Sequence, residues 1–181
     1  LRTPAHSATR PTTDRVREAA FSLVADWAGR AGSGGPDMLT GLSFLDLYAG
    51  SGAVALEAAS RGAAPVWAVE SDSATARIAR GNAAATGLAV TVVAAPAERT
   101  LSGTPPTPFD VVWADPPYSM SAERIAPVLA AVWERGWLAA DGLLVLERAS
   151  RDGTPNWPFQ VTDTWERRYG ETTLHFATKG A

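Results

Sequence analysis

Apolar residues near the start of the chain recur at helical spacing. From Val16 onward they recur at i, i+3, i+4, i+7, i+8 and i+11 as far as Trp27, which predicts an amphipathic helix. Thr13 is placed to cap the N-terminus of this helix. The polar stretch 1–12 is predicted to be an extended arm, and residues 13–181 a single domain.

Short apolar runs then alternate with helical patterns as far as residue 147. Such alternation is typical of a parallel α/β sheet, which binds ligands at the carboxyl ends of its strands. Two further β runs joined at Gly170-Glu171 predict a hairpin, and so an antiparallel edge. The predicted strands are Phe44–Tyr48, Val66–Val69, Val90–Ala94, Phe109–Trp113, Leu143–Glu147, Gln160–Tyr169 and Thr172–Thr178. The later helices are Gly52–Arg61, Asp72–Thr86 and Ser121–Arg135.

Composition narrows the class of protein. The chain has 181 residues, 46% of them hydrophobic and 19% charged, which is typical of a folded domain. No apolar run approaches the roughly 18 residues of a membrane span, and we predict a cytoplasmic protein. The absence of Cys excludes thiol catalysis and thiolate metal sites, and we expect no metal. The net charge of −3 argues against coating nucleic acid by bulk charge, although residues 1–20 carry four Arg against two acids.

A glycine turn follows the first predicted strand. The run Asp46-Leu47-Tyr48-Ala49-Gly50-Ser51-Gly52 leads into a helix, and its glycines admit backbone conformations that a Cβ would block. Read as Gly50-x-Gly52-x-x-Ala55, with Glu70 18 residues beyond Gly52, the turn also matches a dinucleotide fingerprint. The turn alone therefore leaves NAD and other adenosine ligands open.

Two acids favour a cationic ligand at this turn. Asp46 lies inside an apolar strand, where it would repel a pyrophosphate and attract a cationic amino group. S-adenosylmethionine carries an ammonium and a sulfonium and no phosphate. Glu70 ends the second strand, where a carboxylate can accept hydrogen bonds from ribose hydroxyls. The simpler alternatives are a structural cap for Asp46 and a solvated charge for Glu70.

The run Asp115-Pro116-Pro117-Tyr118 after the fourth strand is the most specific feature. Its prolines fix φ and remove two backbone donors, which leaves carbonyls and the Asp115 carboxylate as acceptors. An amine on a planar base needs acceptors for its N–H groups and a flat partner, here Tyr118. The run therefore predicts methyl transfer to an amino nitrogen, although a plain loop exit is the alternative.

These two turns resemble those of class I S-adenosylmethionine-dependent methyltransferases that act on amino nitrogens. The run Arg-Pro-Thr-Thr-Asp-Arg-Val-Arg-Glu-Ala-Ala-Phe at 10–21 is similar to the N-terminal signature of the RsmD family, bacterial 16S ribosomal RNA guanine-N2 methyltransferases. The resemblance runs from about Arg10 to Thr178. It implies a Rossmann-like, seven-stranded, mostly parallel sheet with helices on both faces and an antiparallel C-terminal hairpin strand.

The resemblance also implies the chemistry and its partners. The cofactor would be S-adenosyl-L-methionine, and the substrate the exocyclic N2 amine of a guanine in 16S ribosomal RNA, guanine 966 in the family. The RNA would be met within the small ribosomal subunit or an assembly intermediate, by a monomer. Members usually carry a short basic hairpin ahead of the Arg-Pro-Thr run, and the sequence as given starts after that point.

The motifs assign the following residues to the site. The catalytic turn is Asp115, Pro116, Pro117 and Tyr118. The cofactor-binding residues are Arg10, Pro11, Thr12, Asp46, Tyr48, Ala49, Gly50, Ser51, Gly52, Glu70, Ser71 and Ala97. Arg15, Arg17 and Tyr118 are predicted to contact the RNA, although both arginines also suit a solvated helix face. Pro96 stands where the family commonly has Asp or Asn, which leaves the Ala97 N–H to donate to adenine.

Three other functions stay open on the residues alone. A DNA adenine-N6 or protein glutamine-N5 methyltransferase shares the Pro-Pro-aromatic turn, although these more often begin it with Asn and usually add a recognition domain. A nicotinamide-dependent oxidoreductase could use Gly50–Ala55, but no convincing hydride-transfer acid is present. A non-catalytic RNA-binding or ribosome-assembly module is the third.

Overall fold

Seven strands form one mixed sheet in the order β3-β2-β1-β4-β5-β7-β6. The computed structural model describes residues 1, 11–30, 32 and 35–179, with the backbone alone for residues 11–14 and 179. The strands are β1 Phe44–Asp46, β2 Val66–Glu70, β3 Val90–Ala94, β4 Phe109–Ala114, β5 Leu138–Ala149, β6 Val161–Tyr169 and β7 Thr172–Lys179. The helices are α1 Pro11–Trp27, α2 Ala53–Ser60, α3 Ser73–Thr86, α4 Ala97–Leu101 and α5 Ala122–Glu134, with 3-10 turns at Gly35–Asp37 and Ser150–Asp152.

The predicted fold class is confirmed. β1 to β5 run parallel to their neighbours, while β7 lies antiparallel between β5 and β6 and forms the predicted hairpin. β3 agrees with the prediction at both ends, whereas the other elements differ from it, most of them by one or two residues; β1, for example, ends at Asp46 instead of Tyr48. α1 begins at Pro11 instead of Thr13, because proline suits a first helical position, where the N–H has no partner to bond. β5 has 12 residues instead of five, and the five-residue α4 was not predicted.

Each face of the sheet carries its own hydrophobic cluster. On one face, Phe21 of α1 packs on Phe44 at 5.9 Å and on Trp113 at 6.3 Å between ring centroids. On the other face, Phe109 stacks on Trp137 at 6.3 Å, beneath α4 and α5. Successive strand residues alternate between the two clusters, as the pleat of a strand requires. None of the helices in the described part of the chain is long and apolar enough to span a membrane.

Helix α1 points its N-terminus at the edge where the parallel strands end. Phe21 lies over the middle of the sheet, whereas Trp27 lies beside Asp110 and Ala139, near the starts of β4 and β5. The helix axis therefore runs against the parallel strands. Its first residues are carried toward their carboxyl ends, where ligands bind in such sheets.

Candidate active site

The carboxyl ends of β2, β1 and β4 open into a pocket of about 260 Å³. The pocket combines the start of the glycine turn, the acid that ends β2 and the turn that follows β4, segments far apart in the sequence. Its lining residues are Leu47, Tyr48, Glu70, Ser71, Asp115, Pro116, Pro117 and Tyr118. The structure thus brings the two predicted motifs together at the predicted edge of the sheet.

The glycine turn has the left-handed backbone expected of it. Gly50 has φ 52° and Gly52 has φ 84°, and the N–H of Gly50 donates to Glu70 Oε2 at 2.9 Å. A Cβ on Gly50 would meet nothing within 4 Å, whereas one on Gly52 would lie 3.3 Å from the Cβ of Ala79 in α3. Gly50 therefore leaves open space above the turn, and Gly52 allows α2 and α3 to pack closely.

Asn82 of α3 holds the same turn from below and was not among the predicted site residues. Its side-chain Nδ2 donates to the carbonyl of Ser51 at 3.0 Å, and the side chain is buried. The signal was present in the sequence, because Asn82 interrupts a stripe of alanines, Ala76, Ala79 and Ala83, at helical spacing. A buried polar side chain is retained only where it has a partner.

Asp46 is a buried acid that lacks a full set of partners. It is 1% exposed, and its Oδ1 accepts from the N–H of Tyr48 at 3.4 Å. Its Oδ2 is buried and has no hydrogen-bond partner among the described residues. Burial, together with the charges of Asp115 and Glu70, raises the pKa of Asp46 to about 8, against the opposing effect of the Tyr48 and Ala55 N–H groups. A cation placed against Oδ2 would stabilise the ionised form.

Glu70 links the glycine turn to the start of α3. While its Oε2 bonds Gly50, its Oε1 accepts from the N–H of Asp72 at 2.7 Å and from the Ser71 hydroxyl at 3.3 Å. These bonds orient the carboxylate along the pocket wall. Because a carboxylate has about four acceptor sites, Glu70 keeps capacity for a ligand hydroxyl.

The Asp-Pro-Pro-Tyr turn places one acid and one aromatic ring at the pocket. Asp115 follows β4 directly, and Pro116 is buried while Pro117 is exposed. The N–H of Met120 donates to the carbonyl of Pro117 at 2.8 Å and closes the turn that carries Tyr118. Tyr118 is 58% exposed, so its ring is free to receive a partner at the mouth of the pocket.

Glu147 and Arg148 lie near the end of β5, beside this turn, and were not among the predicted site residues. The register pairs Ala114 with Leu146, so Asp115 and Glu147 follow next on neighbouring strands. The Arg148 guanidinium donates to the carbonyl of Met120 at 2.8 Å, which holds the turn in place. The signal was a charged pair that ends the apolar run of β5, much as Asp115 follows the apolar run of β4.

Asp115 and Glu147 titrate as a pair. Asp115 opens to the pocket, yet the surrounding protein displaces enough water to raise its pKa, against the opposing charge of Arg148. Burial, with the charge of Asp115, raises the pKa of Glu147 further. Both carboxyl groups therefore have a pKa above its ordinary value, and the two belong to one coupled pair.

Several predicted residues lie outside the pocket lining, among them five of the strand β1 and glycine-turn residues: Asp46, Ala49, Gly50, Ser51 and Gly52. Ala97 is buried at the start of α4, just beyond β3, on the same edge of the sheet. Arg15 is exposed and Arg17 half-buried, both on α1. Arg10 falls outside the described residues, and Pro11 and Thr12 are described only as the backbone that begins α1. In the described part of the chain, no cluster of three acidic, His or Cys side chains could hold a metal ion.

The chain matches known proteins over nearly its whole length. The family described as "Conserved hypothetical protein 95" matches residues 1–178. The ribosomal RNA small subunit methyltransferase D of Escherichia coli (strain K12) is 31% identical over 149 residues, 82% of this chain and 69% of the relative. The chain belongs to the RsmD family. The resemblance noted in the sequence is therefore confirmed.

Solved structures agree with this RsmD-family assignment. The Escherichia coli protein yhhF is 30% identical with a TM-score of 0.79, over 99% of this chain and 92% of that one. The Thermus thermophilus 16S rRNA N2 G1207 methyltransferase (RsmC), in complex with AdoMet and guanosine, has a TM-score of 0.70 at 20% identity. It matches 97% of this chain and 44% of its own, and at this identity it shows the shared fold alone.

Proposed function

We propose that this chain transfers a methyl group from S-adenosylmethionine to the exocyclic N2 amine of a guanine in 16S ribosomal RNA. The observation that carries the proposal is the single pocket between the glycine turn and the Asp-Pro-Pro-Tyr turn. One side of this pocket is lined by Glu70 and adjoins the buried Asp46, two acids suited to a cationic cofactor. The other side is lined by Asp115 and Tyr118, an acceptor and a ring suited to a base. The RNA substrate is taken from the name of the Escherichia coli relative.

The residues present fit S-adenosylmethionine. The unpartnered Oδ2 of Asp46 suits the cationic methionine end, and Glu70 keeps acceptor capacity for ribose hydroxyls. The open space at Gly50 admits the cofactor close to the backbone. Tyr48, Ala49, Ser51 and Ser71 would complete the walls, and Ala97 would donate to adenine. When bound, the cofactor supplies a methyl group that its sulfonium already activates.

The main catalytic contribution of the protein is that Asp115 positions the target amine. Its carboxylate accepts a hydrogen bond from the target amine and so turns the nitrogen lone pair toward the methyl donor. Pro116 and Pro117 keep this acceptor fixed, and alignment of the reacting groups supplies most of the rate. As the amine gains positive charge, Asp115 takes up its proton, directly or through solvent.

The central experiment measures transfer of tritiated methyl groups to small ribosomal subunits that lack the modification. Free 16S RNA, DNA and protein are offered in parallel, and calorimetry compares S-adenosylmethionine with NAD. We expect label in the 16S RNA, recovered as N2-methylguanine after digestion, and no heat with NAD. Label in DNA or protein would support the adenine-N6 or glutamine-N5 alternative. Binding of NAD alone would overturn the proposal.

The affinity for S-adenosylmethionine is expected to rise with pH. Asp46 is protonated below about pH 8 in the free protein, and a bound cation favours its ionised form. Binding therefore releases a proton, and the dissociation constant falls roughly tenfold per pH unit as the pH approaches that value. The rise ends near pH 8, where an α-amino group with an ordinary pKa of about 7.7–8.0 loses its charge.

Calorimetry across this pH range, with Asp46→Asn as the matched variant, checks the expectation. The variant keeps the shape of the side chain but cannot ionise. Its dissociation constant should therefore be larger than that of the wild type at pH 8, and nearly independent of pH. Equal slopes for the two proteins would assign the pH dependence to another group.

Tyr118→Ala is expected to raise the KM for the RNA substrate. Stacking of a base on an aromatic ring is worth about 1–3 kcal/mol, which corresponds to a factor of roughly 5 to 150. Tyr118→Phe keeps the ring and should stay close to wild type. Phe159→Ala removes another exposed ring, 91% exposed and outside the pocket lining, and serves as the control. An unchanged KM in Tyr118→Ala would exclude stacking.

A further inference from the structure

A second cavity shares Tyr118 with the active-site pocket. It has a volume of about 400 Å³, and its walls include Tyr118, Ser150, Arg151, Arg168 and Glu171. We call it the flanking cavity. Because Tyr118 lines both cavities, they are close enough for a nucleic-acid chain that enters one to continue into the other.

The walls of the flanking cavity are tied together by hydrogen bonds. The N–H of Ser150 donates to the carbonyl of Glu171 at 2.7 Å, and the Ser150 hydroxyl bonds the Thr173 hydroxyl at 2.8 Å. The Arg148–Asp152 ion pair, at 2.7 Å, anchors the same 3-10 turn to the end of β5. The turn that carries Arg151 is therefore fixed to the hairpin whose β6 carries Arg168.

Both arginines keep donors for a ligand. Arg168 uses its Nε for the carbonyl of Gly170 at 3.0 Å, and Arg151 has no hydrogen bond or ion pair to another residue that the structure describes. Both are exposed. With Glu171 as the one acid in the lining, the flanking cavity is net positive on a chain whose net charge is −3. Two guanidinium groups fit the oxygens of a phosphate diester.

We propose that the flanking cavity binds the phosphate of the RNA nucleotide next to the target guanine. The inference rests on the proposed function, because it takes the target base to occupy the active-site pocket. A base turned into that pocket leaves its own backbone at the rim, and the flanking cavity is adjacent to this rim at Tyr118. Phosphate contacts of this kind fix the register of a nucleic acid without reading its sequence.

The test compares Arg151→Ala, Arg168→Ala and the double variant with wild type in the small-subunit methylation assay. We expect the KM for subunits to rise roughly tenfold or more in the double variant, as charge-assisted hydrogen bonds are lost. The dependence of log affinity on log salt should become shallower by about one unit per lost phosphate contact. The S-adenosylmethionine affinity and kcat at saturating subunits should not change.

Arg99→Ala, an exposed arginine of α4 outside this cavity, is the matched control and should leave KM and the salt slope unchanged. Wild-type KM and salt slope in the double variant would overturn the inference while leaving the proposed function intact. Absence of methylation by the wild-type chain would instead reject the proposed function. Should the double variant fail to fold, the single variants Arg151→Gln and Arg168→Gln each remove one charge and keep a polar side chain, and an unchanged KM and salt slope in both would overturn the inference.

Discussion

Asp115→Ala is expected to lower kcat by at least about 100-fold, because general base catalysis typically contributes 10²–10⁴-fold. The variant loses both the acceptor that aligns the amine and the group that takes its proton. Asp115→Asn keeps one carbonyl acceptor, so its kcat should lie between those of the wild type and Asp115→Ala. Single-turnover methylation of subunits at saturating cofactor measures the effect directly.

S-adenosylmethionine should still bind to both Asp115 variants. Removing the negative charge of Asp115 relieves one of the influences that raise the pKa of Asp46, so cofactor affinity at neutral pH should hold or improve slightly. Asp110→Asn is the matched control on the same strand. The Asp110 carboxylate accepts from the N–H and hydroxyl of Ser43 at 2.8 and 2.7 Å, so this change should lower stability and spare kcat. Near-normal turnover in Asp115→Ala would remove Asp115 from the mechanism.

The parts of the site that depend on one strand and its following turn were predictable from sequence. The glycine turn and Asp115 each carry a local signal, an apolar run that ends in residues unsuited to a sheet interior. Parallel topology then places their ends at one edge. Predicting that Asp115 and Tyr118 share a pocket with Glu70 needed only the order of the elements.

The parts that depend on register or on packing between distant elements were not predictable. Glu147 lies next to Asp115 because β5 pairs with β4 in one particular register. The residues around Glu147 in the sequence do not indicate that register. The flanking cavity exists because a 3-10 turn and a hairpin are bonded through Ser150. Both are products of long-range pairing.

Phe21 shows the same limit within a helix. The periodicity of α1 places Phe21 off the main apolar stripe, free to cover something else. In the structure it is fully buried, stacked on Trp113, with the Arg61 guanidinium 5.2 Å from its ring centroid. α1 packs against the sheet and α2 together, so its buried face is wider than a single stripe.

Gly52→Val is expected to weaken S-adenosylmethionine binding by at least about 100-fold, or roughly 2.7 kcal/mol. At φ 84° a β-branched residue is strained, at a cost of about 1–3 kcal/mol. Its Cβ would also lie 3.3 Å from the Cβ of Ala79, so the turn must move away from α3. That movement pulls Ser51 from Asn82 and the Gly50 N–H from Glu70, the two bonds that shape the cofactor side of the pocket.

Gly87→Val separates loss of the cofactor from loss of the fold. Gly87 ends α3 at φ 69°, so a valine there meets the same kind of backbone strain, but its Cβ has nothing within 4 Å. The free energy of unfolding, measured by urea denaturation, should be lower in both variants than in the wild type, and lowest in Gly52→Val. Calorimetry on the folded fraction should find cofactor affinity retained in Gly87→Val alone. If Gly52→Val binds the cofactor as Gly87→Val does, the glycine turn is a packing feature and the cofactor must be held by other residues.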